Sequence, residues 1–336
     1  MVRASDGLRL PALATAIALI VMASQAAAPA AASAPDRGAA PRTNPIPGTA
    51  CPMFPDDNYW HARVDRLPVN RLSAAWMSHM HSSINLHPDF GPSYGAQDVP
   101  YGIPITVVDG TPRVSVTFDY ADESDSIGYP LGKETLIEGG HASEGDRHAI
   151  VVDSATCTLF ETWNTHESED GWTAGSGATW DLRSNRLRPS TWTSADAAGL
   201  PILPGLLRWD EVSAGRVDHA IRFTTNVTRR AFVWPARHQA GSTNDPQFPP
   251  MGARFRLKST YPTVGHSKEA NAVITALKQY GLVLADNGSP WYFQGTADPD
   301  WPANLIDELK TIPAAAFEAV DTSGMKVAGN SAAVRP

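Results

Sequence analysis

The sequence lacks the short motifs that mark several common classes of enzyme. It contains no Gly-rich phosphate loop after a strand, no Gly-x-Ser-x-Gly, no His-Glu-x-x-His and no Cys-x-x-Cys. Nucleotide chemistry, the common serine-hydrolase elbow and the commonest zinc sites are therefore disfavoured. It also lacks any cluster of Lys and Arg, and its net charge is -8 with a pI of about 5.7. Nucleic acid and anionic membrane surfaces are therefore poor partners for this chain.

No apolar run reaches the roughly 20 residues that a membrane span needs. Residues 1–34 have a basic start, an apolar stretch broken by Pro11, and Ala-rich small-x-small sequence beyond it, which is the pattern of a secretory signal peptide. An uncleaved membrane anchor is the competing interpretation. With the signal peptide removed, the sequence predicts a protein with no membrane contact that is secreted to the extracellular space.

The remainder divides by composition. Residues 35–50 are rich in Ala and Pro and predict a flexible leader, residues 51–320 hold the periodic segments and predict a single domain, and residues 321–336 show no pattern and predict an unstructured tail.

Cysteine is scarce, with only Cys51 and Cys157 present. Two cysteines in an exported protein most simply pair with each other, although two unpaired buried thiols are the alternative. In the chain-entropy model, a bridge that closes a loop of this size is worth about 4 kcal/mol.

The periodicity predicts a mainly β fold. Residues 103–107 and 114–120 alternate apolar with polar side chains, and residues 148–153 and 157–163 predict a hairpin. Helices are predicted at 71–84, at 304–310 and, most strongly, at 267–281, where Ser267 can cap the start and Gly281 the end. We therefore expect an antiparallel β-sandwich or jelly-roll-like domain with one amphipathic helix packed on it and long loops on one side.

Two further local predictions follow from turn residues. Segment 175–211 is rich in Gly, Pro and Trp and predicts a long ordered loop, of a length that is usually functional. Residues 282–285 and 291–293 predict a second hairpin around Asp286-Asn-Gly-Ser289.

Several strings of the chain resemble a group of uncharacterised secreted proteins from actinobacteria and related bacteria. They are Ile137-Glu-Gly-Gly140, Gly145-Asp-Arg-His148, Ser176-Gly-Ala178 with Trp180-Asp-Leu182, Trp192-Thr-Ser-Ala-Asp196 with the residues up to Pro201, and Ala285-Asp-Asn-Gly-Ser289. The resemblance spans most of residues 56–320. It implies export and a single domain, and it assigns no catalytic residue.

The candidate catalytic residues are histidines at strand entrances together with loop carboxylates. His148 and His219 each share a strand face with apolar residues, so their imidazoles are expected to point inward, where burial and a nearby carboxylate tune the proton affinity. With His238 they are predicted to meet Asp181 and Asp196, either as general acid and base groups or as ligands of a divalent metal. No motif requires a cofactor, and three unrelated histidines bonded to loops are the competing interpretation.

Two weaker arrangements are also present. Ser176, in a Gly-rich turn, can imitate the nucleophile of a Ser/His/Asp triad, but a small residue that merely suits the turn is far commoner. His79, His81 and His87 lie within nine residues, yet positions two apart on a helix point to different sides, so a metal site is disfavoured there.

Acids mixed with tryptophans predict a sugar site. Trp180, Trp192 and Trp209 are the candidate stacking residues, because flat apolar rings cover the C–H faces of a pyranose. Arg147 and Arg188 are candidates for binding an anionic sugar by bidentate pairing. The sequence therefore predicts a secreted carbohydrate-active enzyme, a glycoside hydrolase or polysaccharide lyase, with a polysaccharide or oligosaccharide as partner. A non-catalytic glycan-binding or cell-envelope protein is the alternative.

Overall fold

The computed structural model describes residues 45–93 and 99–335. The predicted signal peptide and most of the predicted leader lie outside them. The described residues form four α-helices: α1 (Ser73–Ser78), α2 (Trp209–Ala214), α3 (Lys268–Gln279) and α4 (Ala303–Leu309). The strands are β1 (His87–Asp89), β2 (Ile105–Val108), β3 (Val116–Phe118), β4 (Ala149–Asp153), β5 (Thr158–Trp163), β6 (His166–Ser168), β7 (Gly171–Ala174), β8 (Ser176–Asp181), β9 (Ile221–Thr225), β10 (Arg229–Phe232), β11 (Pro250–Met251), β12 (Arg254–Leu257), β13 (Leu282–Asn287), β14 (Tyr292–Gln294) and β15 (Phe317–Ala319).

The fold is mainly β, as predicted, but its sheets are mixed. A six-stranded sheet has the order β1-β14-β9-β13-β12-β15, a four-stranded sheet the order β2-β4-β5-β8, a three-stranded sheet the order β3-β7-β6, and β10 pairs with β11. The β9/β13, β1/β14, β2/β4, β3/β7 and β10/β11 pairs are parallel. The expected antiparallel pairing therefore holds for only part of these sheets, and a sandwich or jelly-roll arrangement stays a prediction.

The six-stranded sheet lies in the largest hydrophobic core. All five residues of β9 are buried, and the ring of Phe223 contacts those of Phe255 and Trp291. Helix α3 packs on β12 and on α2, with Val273, Ile274 and Leu277 buried against the sheet. This apolar packing fixes the position of β9, which carries the buried Arg222.

The strongest sequence prediction, the helix at 267–281, is confirmed. The Ser267 side chain accepts a hydrogen bond from the Ala270 N–H, so it satisfies one of the free donors at the helix start. Gly281 has a φ of +72°, and a Cβ there would lie 2.1 Å from the Phe255 carbonyl oxygen. Only glycine fits this turn from helix to strand. The helix predicted at 71–84 is present as the shorter α1, and the helix predicted at 304–310 is present as α4, displaced by one residue.

The four-stranded sheet has both of its faces buried. Ile150 and Val152 point into one hydrophobic cluster, and Val151 points into another with Phe160. The predicted hairpin is confirmed, with Ala149 opposite Thr162 and Asp153 opposite Thr158. Cys51 and Cys157 form the predicted disulfide, with a Cα–Cα distance of 5.3 Å, and Cys157 stands just before β5. The bridge joins the start of the described chain to this sheet.

Three local predictions differ from the structure. The segments 282–285 and 291–293 form no hairpin, because β9 lies between β13 and β14. Segment 175–211 is not a loop throughout, since it contains β8 and the start of α2. Residues 321–335, expected to be unstructured, pack on the large core through Met325 and Ala332 and form bridges to Asn58 and Arg186.

Within residues 45–93 and 99–335, no helix has both the length and the apolar character needed to cross a bilayer.

Candidate functional site

A pocket of about 590 Å³ lies between β1 and the loop that precedes β4. Its wall is formed by three segments of chain: Asp89 at the end of β1, residues 100–102, and residues of the 138–146 loop. Among the lining residues that the structure describes, none is Lys or Arg and four are carboxylic acids: Asp89, Glu138, Glu144 and Asp146.

Asp89 is held in one orientation by two donors. The Tyr101 hydroxyl donates to Asp89 Oδ1, and Gln294 Nε2 donates to Oδ2 at 3.1 Å. Tyr101 is itself fixed because the next residue, Gly102, has a φ of +129° and a Cβ there would lie 2.7 Å from the Gly295 carbonyl oxygen. The backbone therefore passes β14 at a distance that only glycine permits. Asp89 is half-buried and faces the pocket from this fixed position.

Glu138 lies in the same pocket and is paired with His148. Its Oε2 is 2.6 Å from His148 Nδ1 and also accepts the His148 backbone N–H at 3.3 Å. The other ring nitrogen of His148 lies 3.2 Å from the Ala195 carbonyl oxygen. A carboxylate and a carbonyl oxygen both require a donor, so the arrangement suits the imidazolium form. The Glu138 side chain is 26% exposed, whereas that of His148 is 6% exposed, so a ligand in the pocket reaches Glu138 and not His148.

The electrostatics of this pair follow from burial and proximity. Burial by itself lowers the pKa of His148, but the charge and hydrogen bond of Glu138 outweigh it and raise that pKa to about 9. Burial likewise raises the pKa of Glu138, and the charge and hydrogen bond of His148 outweigh that effect, so its pKa is lowered. At neutral pH Glu138 is a carboxylate beside an imidazolium.

We expect this pair to make stability depend on alkaline pH. The pKa of His148 is higher in the folded protein than its ordinary value of 6.5, so its contribution is complete below pH 6.5 and is lost as pH rises through about 9. The free energy of unfolding, measured by urea denaturation from pH 6 to 10, should fall across this window. In Glu138→Gln the fall should be smaller, because His148 then lacks the charge that keeps it protonated.

Glu161 and Asp286, whose pKa values burial raises to about 7, titrate in the same window and are retained in both proteins. The difference between the two pH profiles therefore isolates the Glu138–His148 pair. Identical slopes in the two proteins would contradict the ion pair.

Behind His148 lies a second, deeper ion pair. Asp196 is completely buried, and Arg222 on β9 binds it through Nε at 3.0 Å and Nη2 at 2.9 Å. Asp286 on β13 is near both residues. Its pKa is raised mainly by burial and also by the charge of Asp196, whereas the charge of Arg222 opposes that rise. The charge of Arg222 also reaches Glu138 and His148. A chain of ionisable groups thus leads from the pocket wall into the interior.

Glu161 on β5 is a further buried acid with a structural task. Its carboxylate accepts the backbone N–H groups of Ile202 and Leu203 at 2.8 Å each, at the start of a short 3₁₀ helix. Free N–H groups at a helix start need such an acceptor. We therefore assign Glu161 to holding that segment and not to the pocket.

The structure brings together part of the predicted catalytic set. His148 contacts the Ala195 carbonyl, Asp196 follows directly, and His238 Nδ1 lies 2.8 Å from the Ala197 carbonyl oxygen. His148, Asp196 and His238 are therefore gathered around one short segment. His238 Nε2 lies 3.8 Å from Glu123 Oε2.

The other two members of that set lie elsewhere. His219 contacts the Ala220 carbonyl oxygen at 2.8 Å and Glu211 at 3.0 Å. Asp181 is exposed at the end of β8 and accepts the Arg183 N–H across a turn. Neither residue lines the pocket.

The two predicted arginines are already engaged by the protein. Arg147, which is 5% exposed, donates to the carbonyl oxygens of His141, Ser143 and Thr165 and so braces the loop that forms the pocket wall. Arg188 binds Asp125 and the carbonyl oxygens of Glu123 and Thr193. Both guanidinium groups are turned to protein acceptors.

The predicted tryptophans also lie away from the pocket. Trp180 and Trp192 flank the Arg188 guanidinium, with ring centroids 5.7 and 5.6 Å from its central carbon. Trp209 packs on Trp301, with ring centroids 5.4 Å apart. In the part of the chain that the structure describes, no group of three or more His, Cys, Asp or Glu side chains is placed to hold a metal ion.

Sequence reasoning missed Asp89 and did not single out Glu138. The sequence around each residue holds a signal. Asp89 lies in the string Pro88-Asp-Phe-Gly91, and Glu138 is followed by Gly139 and Gly140, which have positive φ in the structure. Glu138 lies in a turn and Asp89 at the end of β1, so the backbone restricts the orientations open to both carboxylates. No protein-family model, no curated protein and no solved structure matches this chain.

Proposed function

We propose that this protein is a secreted carbohydrate-active enzyme, and specifically a glycoside hydrolase that acts on an extracellular polysaccharide. The observation that carries the proposal is the pair of half-buried carboxylates, Asp89 and Glu138, that line one polar pocket and are each fixed by named hydrogen bonds. Glycoside hydrolysis requires two such groups on opposite sides of the scissile bond.

The two carboxylates differ in surroundings, and this suggests their roles. Glu138 is kept ionised by His148, so it serves as the nucleophile or as the base that activates water. Asp89 then supplies the proton to the leaving oxygen, and Tyr101 and Gln294 orient it for that transfer. His148 and Arg147 are positioning residues in this scheme, since the first sets the charge of Glu138 and the second braces the loop beside it.

The charge of the pocket bears on the substrate. Its described lining residues include four carboxylic acids and no basic side chain. Arg147 and Arg188, the candidates for binding a uronate, already donate to protein oxygens. A polyanion would be repelled here. We therefore favour a neutral or amino-sugar polymer. Lyase action on uronates is disfavoured for the same reason, because a lyase must neutralise the uronate carboxylate.

Export is part of the proposal. The N-terminal sequence has the pattern of a signal peptide, and the Cys51–Cys157 disulfide suits an oxidising compartment.

A screen of the mature protein against polysaccharides tests the proposal. We expect new reducing ends from at least one neutral or amino-sugar polymer, and neither reducing ends nor the unsaturated product absorbance from polyuronates. Binding across the panel without turnover would instead favour the non-catalytic glycan-binding protein. Unsaturated products from a polyuronate would overturn both the hydrolase assignment and the argument from pocket charge.

A further inference from the structure

A second pocket, of about 280 Å³, lies on a different part of the surface. It is bounded by Trp76 of α1, by Val233 and Trp234 just after β10, and by residues of the segment that follows β15. It shares no lining residue with the pocket that contains Asp89 and Glu138.

The apolar lining of this pocket includes two tryptophans whose N–H groups are bonded to protein oxygens. Trp76 Nε1 donates to the Pro246 carbonyl at 3.1 Å, and Trp234 Nε1 donates to the Ser331 carbonyl at 2.9 Å. The indole surface left to line the pocket is therefore carbon, and the half-buried Trp234 is the more exposed of the two rings, since Trp76 is 6% exposed. Tyr59 meets the Trp234 ring edge to face at 5.3 Å, which holds that ring in place.

The rim carries polar groups with unused hydrogen-bonding capacity. Asn70 accepts a bond through Oδ1 from the Leu72 N–H, which leaves its amide NH₂ for a ligand. Asp321 Oδ1 accepts the Ser323 N–H, and the Ser323 side chain also hydrogen-bonds this carboxylate, whose lone pairs can accept a further donor. Lys326 lines the pocket and is exposed, and in residues 45–93 and 99–335 its ammonium makes no hydrogen bond or ion pair. The rim thus offers both donors and an acceptor.

We infer that this pocket binds a single pyranose unit of a polysaccharide chain, as a subsite separate from the proposed catalytic pocket. Tryptophan carbon surface matches the C–H face of a sugar ring, and a mixed set of donors and acceptors matches its hydroxyl groups. An apolar carboxylic acid would suit Lys326 but would be repelled by Asp321. The volume lies near the lower end of the range for small-molecule pockets, as expected for one ring.

The test measures binding of neutral oligosaccharides (cello-, xylo-, malto- and chito-hexaoses) to the full mature protein by calorimetry and ligand-observed NMR. We expect at least one of them to bind, and Trp234→Ala to weaken that binding about tenfold or more. Because Trp234 packs on Tyr59 and its loss can disturb the fold, Lys326→Ala serves as the second variant. It changes only the exposed rim and should weaken binding severalfold at an unchanged melting temperature.

Two controls separate this subsite from the proposed catalytic pocket. Glu138→Gln should retain the oligosaccharide binding in full. Trp192→Ala should also retain it, because this half-buried tryptophan lies outside the subsite. The inference is overturned if none of the four oligosaccharides binds, or if Lys326→Ala and Trp234→Ala bind as the wild type does. Because Glu138→Gln is included, loss of hydrolysis and loss of this binding are read independently.

Discussion

Replacing Arg222 by methionine should lower the free energy of unfolding by about 3–5 kcal/mol. Methionine keeps much of the volume of the side chain but leaves Asp196, which has no exposed surface, as a buried carboxylate without its bidentate partner. Asp286 adds a second carboxyl group nearby. The cost arises because a buried charge that loses its partner keeps its full desolvation penalty.

A matched control exists on the surface. Arg63 binds Asp65 with the same bidentate geometry, through Nε at 3.1 Å and Nη2 at 2.9 Å, but its side chain is 46% exposed. Arg63→Met should therefore cost no more than about 1 kcal/mol. Urea denaturation of both variants at pH 7 measures the difference. Equal losses in the two variants would mean that burial of Asp196 is not what makes the Arg222 pair valuable.

The elements that the sequence predicted well are those whose stabilising contacts are local. Ser267 caps the helix that it begins, and Gly281 ends it, so both signals lie within the segment they define. The β4–β5 hairpin joins strands four residues apart along the chain, and its alternating side chains predict which of them face inward.

The order of the large sheet shows where local signals stop. The Asp286-Asn-Gly-Ser289 sequence has the residues of a tight hairpin turn, and β13 and β14 flank it, but β9 separates them. Strand β9 begins some sixty residues earlier and pairs in parallel with β13, through Leu282 opposite Ile221. Burial of all five β9 residues outweighs the turn preference, and this burial depends on partners that a local pattern does not reveal.

The candidate site likewise contains features that a local sequence pattern predicts and contacts that it does not. His148, directly before β4, is buried as expected, but every residue of β4 is buried on either face, so alternation alone does not decide its direction. Alternation on β8 places Asp181 outward once Trp180 is buried, a consequence that the sequence reasoning did not draw. No local pattern predicts which residues bond to each other across segments. Glu138 contacts His148 from a loop, and Arg147 donates to three backbone carbonyl oxygens instead of to a ligand.

On a substrate identified by the polysaccharide screen, Asp89→Asn and Glu138→Gln should each reduce kcat by about 10²–10⁴-fold, the usual contribution of a positioned acid or base. Each substitution keeps the shape of the side chain and removes its ability to carry charge or exchange a proton. Asp89→Asn is the cleaner of the two, because its partners Tyr101 and Gln294 are uncharged groups that can reorient toward an amide. Glu138→Gln also removes the counter-ion of His148, so its melting temperature must be recorded beside its rate.

Glu144→Gln is the matched control for these two variants. Glu144 lines the same pocket, but it is exposed, and no hydrogen bond or ion pair fixes its carboxylate within the described residues. We expect its kcat to stay within about threefold of the wild type, because a carboxylate free to move among solvent conformations contributes little to an oriented proton transfer. If Glu144→Gln proved as damaging as the other two, the pocket would act through its summed negative charge. If Asp89→Asn and Glu138→Gln both kept full activity, hydrolysis would have to occur at another site.

Following the anomeric configuration of the first product by NMR then distinguishes nucleophile from base for Glu138, since retention requires a covalent intermediate on the carboxylate and inversion requires an activated water.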